Sequence, residues 1–159
     1  MVEALATVLL DVVDGGASVG FMAPLTRERA VAFWQRVAAG VANGQRVLFV
    51  GEDAVGVCGT VQLVCDLPDN QPHRADVAKM LVHRRARRRG IAAALMQTAE
   101  ATARELGKSL LVLDTVTGSD AARVYERLGW VRVGDIPRYA LYPGGGFCST
   151  TVFYRDLHS

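Results

Sequence analysis

Apolar residues recur at helical spacing near the start of the chain. Leu5, Val8, Leu9, Val12 and Val13 fall on one face and Gly15-Gly16 closes the run, which predicts a helix over 3–14. A second helix is predicted over 26–42, with Thr26 as N-cap, Glu28 in the first turn and Ala30, Phe33, Trp34, Val37 and Ala38 as its apolar stripe. The period then changes. Val47–Val50 and Val55–Val64 read as strands joined by a turn at Gly51-Glu52-Asp53-Ala54, and Leu67 to His73, with two prolines, reads as a loop. Ala75–Val82 is a strand, Gly90–Leu106 a helix stopped by Gly107, and Leu110–Asp114 a buried strand. A further helix, capped by Ser119 or Asp120, ends near Leu128-Gly129. Val131–Val133 and Phe147–Tyr154 are the last strands, with Pro143-Gly144-Gly145-Gly146 turning between them. Nothing repeats and no linker intervenes, so the pattern describes one α/β domain.

Composition narrows this picture only slightly. Half of the 159 residues are hydrophobic, enough for a proper core. A net charge of +2 is too small to imply a nucleic-acid partner. Cys58, Cys65 and Cys148 are odd in number and lack metal-ligand spacing, so a reduced, cytoplasmic protein without a metal is expected. Ala4–Leu10 is mostly apolar, but Glu3 precedes it, Asp11 and Asp14 follow, and no Lys or Arg opens it, so a signal peptide is not expected. No apolar run reaches the length of a membrane span.

The chemistry concentrates in residues 82–92. There the predicted strand runs through Arg84, Arg85, Arg87, Arg88 and Arg89 into a helix that opens at Gly90. A glycine-containing turn at a helix start points several backbone N–H groups at one spot, where the helix dipole favours negative charge. Guanidinium forks add affinity for phosphate oxygens. A charge run alone is more often a solvated loop, but a run held between a strand and a helix start reads as a pyrophosphate cradle. Neither Gly-x-x-x-x-Gly-Lys-Ser/Thr nor Gly-x-Gly-x-x-Gly occurs here.

Arg87-Arg88-Arg89-Gly90-Ile91-Ala92 resembles the acetyl-CoA signature of the GNAT superfamily of N-acetyltransferases, Gln/Arg-x-x-Gly-x-Gly/Ala. The likeness extends to the strand Val77–Val82 and to Ala121-Ala122-Arg123-Val124-Tyr125-Glu126-Arg127-Leu128-Gly129-Trp130, and spans about Asp76 to Asp156. It implies a mixed, mostly antiparallel sheet flanked by about four helices (α/β, or α+β in some schemes). The strand that relatives carry before the first helix is expected to be missing or truncated here. It also implies acetyl-CoA as cosubstrate, with main-chain groups of Leu81 and Val82 along the pantetheine arm. Backbone N–H groups of Arg87, Arg88, Arg89, Gly90, Ile91 and Ala92 are expected at the pyrophosphate, and Arg84 or Arg85 at a nucleotide phosphate.

Tyr125 matches the tyrosine that in many relatives lines the cofactor and protonates the departing thiolate, for which a phenol is a suitable acid. Asp76 and Asp114 are candidates for the group that accepts the amine proton. Asp76 also reads as a surface charge at a strand start, and Asp114 as a turn cap at the sheet's C-terminal edge. His83 and His73 are weaker candidates, with His83 expected in solvent, and Trp34, Tyr139 and Tyr142 are possible walls of an acceptor pocket. The leading expectation is direct acetyl transfer to a primary amine of a small molecule. The tail Val133–Leu141 is similar to the branch that includes antibiotic- or toxin-inactivating members. Relatives often dimerise, so a homodimer is compatible. A catalytically inactive acyl-CoA-binding sensor or interaction module is the alternative, and nucleic-acid binding through the arginines is disfavoured because no helix-turn-helix or aromatic RNA motif accompanies them.

Overall fold

The computed structural model describes residues 1–158. Its elements in chain order are α1 (Val2–Asp14), α2 (Arg27–Ala42), β1 (Arg46–Glu52), β2 (Val57–Val64), β3 (Arg74–Val82), α3 (Ile91–Glu105), β4 (Leu110–Val116), α4 (Asp120–Arg127), β5 (Val131–Leu141) and β6 (Phe147–Asp156). The strands form one sheet in the order β1-β2-β3-β4-β6-β5, antiparallel everywhere except between β3 and β4. This is the single α/β domain that the pattern predicts. Among the described residues no strand precedes α1, so β1 is an edge of the sheet.

Each face of the sheet buries its own core. Val61, Leu63, Ala75, Val77, Leu111, Leu113 and Phe153 pack against Leu95, Met96 and Ala99 of α3 and Ala122 and Tyr125 of α4. On the other face Leu48, Val50 and Leu81 meet Leu5, Leu9, Val12 and Trp34 of α1 and α2. Each fully buried large side chain contributes about 1.5–3 kcal/mol. Ala75, Val77 and Leu81 have the same strand parity, yet Leu81 lies on the opposite face from the other two. The cause is a bulge. Gln62 of β2 pairs with Ala78, but Thr60 pairs with Leu81, so β3 carries an extra residue, and Lys79 adopts a left-handed conformation there, with φ 52°.

Two expectations shift. Gly51 and Glu52 belong to β1, and the turn falls at Asp53–Gly56, where the Asp53 carboxylate accepts from Val55 N–H (3.0 Å) and Gly56 N–H (3.1 Å). Gly51 is instead paired with Gly59 across the ladder, beneath the first turn of α3. A Cβ on Gly59 would stand 3.0 Å from Ile91 Cγ2 and 3.2 Å from Leu95 Cδ1, so the helix start docks this closely because both strands are bare. β5 continues to Leu141, well beyond Val133, because an edge strand tolerates Pro137 and absorbs an irregularity between Ile136 and Ala140. Gly59→Ala is therefore expected to lower stability by about 1–3 kcal/mol in urea unfolding, the cost of forcing a methyl group into packed side chains.

Candidate active site

β3 and β4 run side by side only over Arg74–Asp76 and Leu110–Val112. Beyond that row β3 stays with β2 as far as the pair Gly59–Val82, and β4 stays with β6 as far as Val116–Thr150. The two parallel strands thus separate toward their C-terminal ends, and the facing main chain of each is left unpaired. Leu81 and Val82 lie on the β3 wall of this cleft, with the Leu81 side chain buried in the α1/α2 core and Val82 half-buried.

The cleft ends at the arginine turn. A short 3₁₀ turn over Arg84–Ala86 is capped by His83, whose Nδ1 accepts from Arg85 N–H at 3.1 Å. The expectation of a solvated His83 is corrected, since it is half-buried and Nε2 lies 3.6 Å from Asp11 Oδ1. Arg88 (φ 61°) and Gly90 (φ 76°) both adopt left-handed conformations and turn the chain into α3. Among the described residues, the N–H groups of Arg88 to Ala93 find no protein partner, and only at Ala94 does the helical ladder begin, through Gly90 O at 3.0 Å. Nothing lies within 4 Å of the Cβ position of Gly90, so the space in front of these donors is open. Ile91 and Ala92 form the first turn, Ile91 seated over Gly51 and Gly59.

Most of the arginine side chains are already engaged. Asp11 Oδ2 accepts from Arg84 N–H and Oδ1 from Arg84 Nε, both at 2.9 Å, while Arg84 Nη2 reaches Asp14 at 3.1 Å. Burial works against the Asp11 anion, but the Arg84 hydrogen bonds and the His83 and Arg84 charges outweigh it and hold its carboxyl below the usual range. Asp53 Oδ2 takes both Arg89 Nη2 (2.6 Å) and Arg85 Nη1 (2.5 Å), and these two donors depress its pKa strongly. Arg84 and Arg85, expected at a nucleotide phosphate, are therefore tied to carboxylates. Arg87 touches only Val82 O, at 3.4 Å, and Arg88 is unpaired among the described residues. Asp11 and Asp53 are the residues sequence reasoning missed, because both lie far from the turn along the chain.

Tyr125 is buried on α4, its ring centroid 5.9 Å from those of Trp130 and Phe153. The helix end is fixed by Gly129 (φ 89°), Trp130 N–H to Tyr125 O (3.0 Å) and a buried bond from Trp130 Nε1 to Glu100 (2.9 Å). Burial first, and the Asp114 charge second, push the phenol pKa well above its usual value. Asp114 stands two residues past the last β3–β4 row, exposed, and accepts from Thr150 Oγ1 at 2.8 Å. Asp76 occupies that last row on the same sheet face, at least about 8 Å from Asp114 by strand spacing and rise. One of its oxygens is held by Arg74, itself bound to Gln71. The two carboxylates share a face without touching.

That face also carries Lys79 at the bulge and Arg46, which donates to Gln62 Oε1 at 2.7 Å. Burial lowers the Lys79 pKa, with Asp114 opposing. Its edge is bounded by two segments hydrogen-bonded to each other, Ser18 Oγ to Leu141 O (2.9 Å) and Ala23 N–H to Pro143 O (2.9 Å). Trp34 does not wall the pocket, being fully buried in the α1/α2 core, whereas Tyr139 and Tyr142 are exposed on β5 and just beyond it. No group of His, Cys, Asp and Glu suited to a metal occurs among the described residues.

The pattern of the acetyltransferase (GNAT) domain matches residues 44–132, more than half of the chain, including β3, the arginine turn, β4 and Tyr125. The chain belongs to the GNAT acetyltransferases. Solved acetyltransferase structures share its fold. An N-acetyltransferase from Staphylococcus aureus Mu50 is 18% identical with a TM-score of 0.82, covering 99% of this chain and 93% of the other. A GCN5-related N-acetyltransferase from Kribbella flavida is 25% identical with a TM-score of 0.79, covering 98% and 92%. A Salmonella typhimurium protein solved with its cofactor acetyl-CoA is 18% identical with a TM-score of 0.80, covering 98% and 88%. In this GNAT domain the open donors at Arg88–Ala93 lie where strand, turn and helix of the family motif meet.

The clamp on that turn has a pH signature. A carboxyl whose folded pKa is depressed contributes stability present above its unfolded pKa, about 3.9, and lost as pH falls toward the folded value. The stability advantage of the wild type over Asp53→Asn, measured by urea unfolding, is expected to shrink as pH falls from about 6 to about 3. An advantage independent of pH would exclude the ionised clamp.

Proposed function

We propose that the protein transfers an acetyl group from acetyl-CoA directly to a primary amine of a small molecule. The observation that carries this reading is the separation of β3 from β4 beyond Asp76 and Val112, which opens unpaired main chain along a cleft ending at the free N–H groups of Arg88–Ala93. These donors suit a pyrophosphate, and the unpaired edge of β3 around Leu81 and Val82 suits the amide groups of an extended pantetheine arm. Acetyl-CoA supplies the activated thioester. Arg87 and Arg88 remain available to its phosphates, since Asp11 and Asp53 hold the other three guanidinium groups.

In this reading the acceptor amine is deprotonated by way of Asp114, whose exposed carboxylate flanks the cleft and is oriented by Thr150. The amine nitrogen bonds to the acetyl carbon, and the carbon–sulfur bond breaks. Tyr125 gives its proton to the departing sulfur, a transfer uphill in acidity because the phenol is the weaker acid, and the proton released from the acceptor amine returns to the ring oxygen by way of solvent to complete the step. Burial supports the acid role by keeping the phenol protonated across the working range. Asp76, one oxygen occupied by Arg74, contributes negative charge beside the acceptor and steadies its cationic form.

The test is CoA release from acetyl-CoA against amines, amino acids and peptides. Tyr125→Phe is expected to lower kcat about 10- to 1,000-fold with a much smaller change in KM for acetyl-CoA, and Asp114→Asn to lower kcat. Gly90→Ala, which forces a side chain into a left-handed conformation, is expected to raise the Kd for CoA. Tight CoA binding without turnover of any acceptor would identify a sensor instead.

A further inference from the structure

Lys79 is one of only two lysines in a chain rich in arginine, and it interrupts the apolar strand Val77-Ala78-Lys79-Met80-Leu81. It is the bulge residue of β3, in a left-handed conformation that would suit glycine better. Its side chain is half-buried, yet among the described residues its ammonium makes no hydrogen bond and no ion pair, while the other lysine, Lys108, donates to Pro72 O at 2.8 Å. Gly20, in the α1–α2 loop, faces it so closely that a methyl group there would lie 3.5 Å from Nζ. Arg46 adds a second positive charge nearby and Asp114 a negative one, too far from Nζ to pair with it. Withdrawal from water penalises the charged amine, which is the state expected of a cation that lacks its counter-ion.

We infer that Lys79 is the anchor for an anionic group on the acceptor, so that the enzyme acetylates amines carrying a nearby carboxylate, as in an α-amino acid, in preference to bare alkylamines. The inference rests on the transferase reading and deepens it. An acceptor ammonium directed at Asp114 leaves its carboxylate toward Lys79, whose position on the bulge sets it beside the cleft opening between β3 and β4. Gly20 keeps the α1–α2 loop from filling that space. Lys79 makes no bond to the reacting atoms and acts by binding and orienting the acceptor.

The experiment compares kcat/KM for common α-amino acids with that for their amides and decarboxylated amines, in the wild type, Lys79→Met and Lys79→Arg. The acid-to-amide ratio is expected to fall about 10- to 100-fold in Lys79→Met, mainly through KM, and to recover partly in Lys79→Arg. An unchanged ratio overturns the inference, as does acetyl-Lys79 accumulating in wild type incubated with acetyl-CoA, which would make the lysine an acceptor itself. A protein that turns over no amine fails the transferase reading. Lys79 is then judged by ¹³Cε NMR, simplified by the presence of two lysines. A Lys79 signal that moves with amino acids and not with the matched amines upholds the anchor, and a signal indifferent to both removes it.

Discussion

Main-chain hydrogen bonding between β3 and β4 stops at the row Asp76–Val112, and the site is a consequence of that stop. Parallel neighbours ordinarily continue to bond, since an unpaired backbone group withdrawn from water costs about as much as a lost hydrogen bond. Here each strand follows its other neighbour instead, β3 with β2 and β4 with β6. The bulge at Lys79 adds local twist to β3 and reverses which face its later residues present, so Leu81 anchors the strand in the second core as it turns away. A ligand with amide groups of its own restores what the strands leave unbonded.

The arginine turn works by a different balance. Five guanidinium groups within six residues would repel one another and keep the turn mobile, but Asp11, Asp14 and Asp53 bring α1 and the β1–β2 turn onto it. The side chains thereby become fasteners that hold the backbone in shape, and the backbone keeps its donors free. Gly51 and Gly59 complete the arrangement from below, letting α3 approach the sheet so that its first turn lies at the cleft's end.

The helices, including α4 with Tyr125 on it, the strand before the arginines and the unusual turn were legible in the sequence because each depends on local periodicity, a cap or a short motif. Ser119 caps α4 through Ala122 N–H, as its position suggested. What escaped depends on long-range pairing. Asp53 looked like an ordinary turn residue, and nothing local links it to Arg89. Gly51 looked like a turn, although its role is to face Gly59. The side of the sheet that Leu81 presents was hidden by a bulge that strand alternation cannot reveal, even though a lone lysine in an apolar strand was a visible anomaly. Pro137 and Gly134 similarly disguised most of β5.

Folding inherits the short junction between β3 and β4. Residues 46–82 supply one half of the sheet, paired strand to next strand, and residues 110–156 the other, where β5 pairs with its successor β6 and β6 returns to lie beside β4. The β1–β2–β3 meander and the β5–β6 hairpin close short loops at little entropic cost, the β4–β6 pairing closes a longer one, and the union of the two halves rests on one brief parallel ladder and the helices laid across it. A molecule lodged in the seam binds only the joined form and so favours it by mass action. A ladder this narrow thus makes whatever occupies the seam a clasp between two folding units.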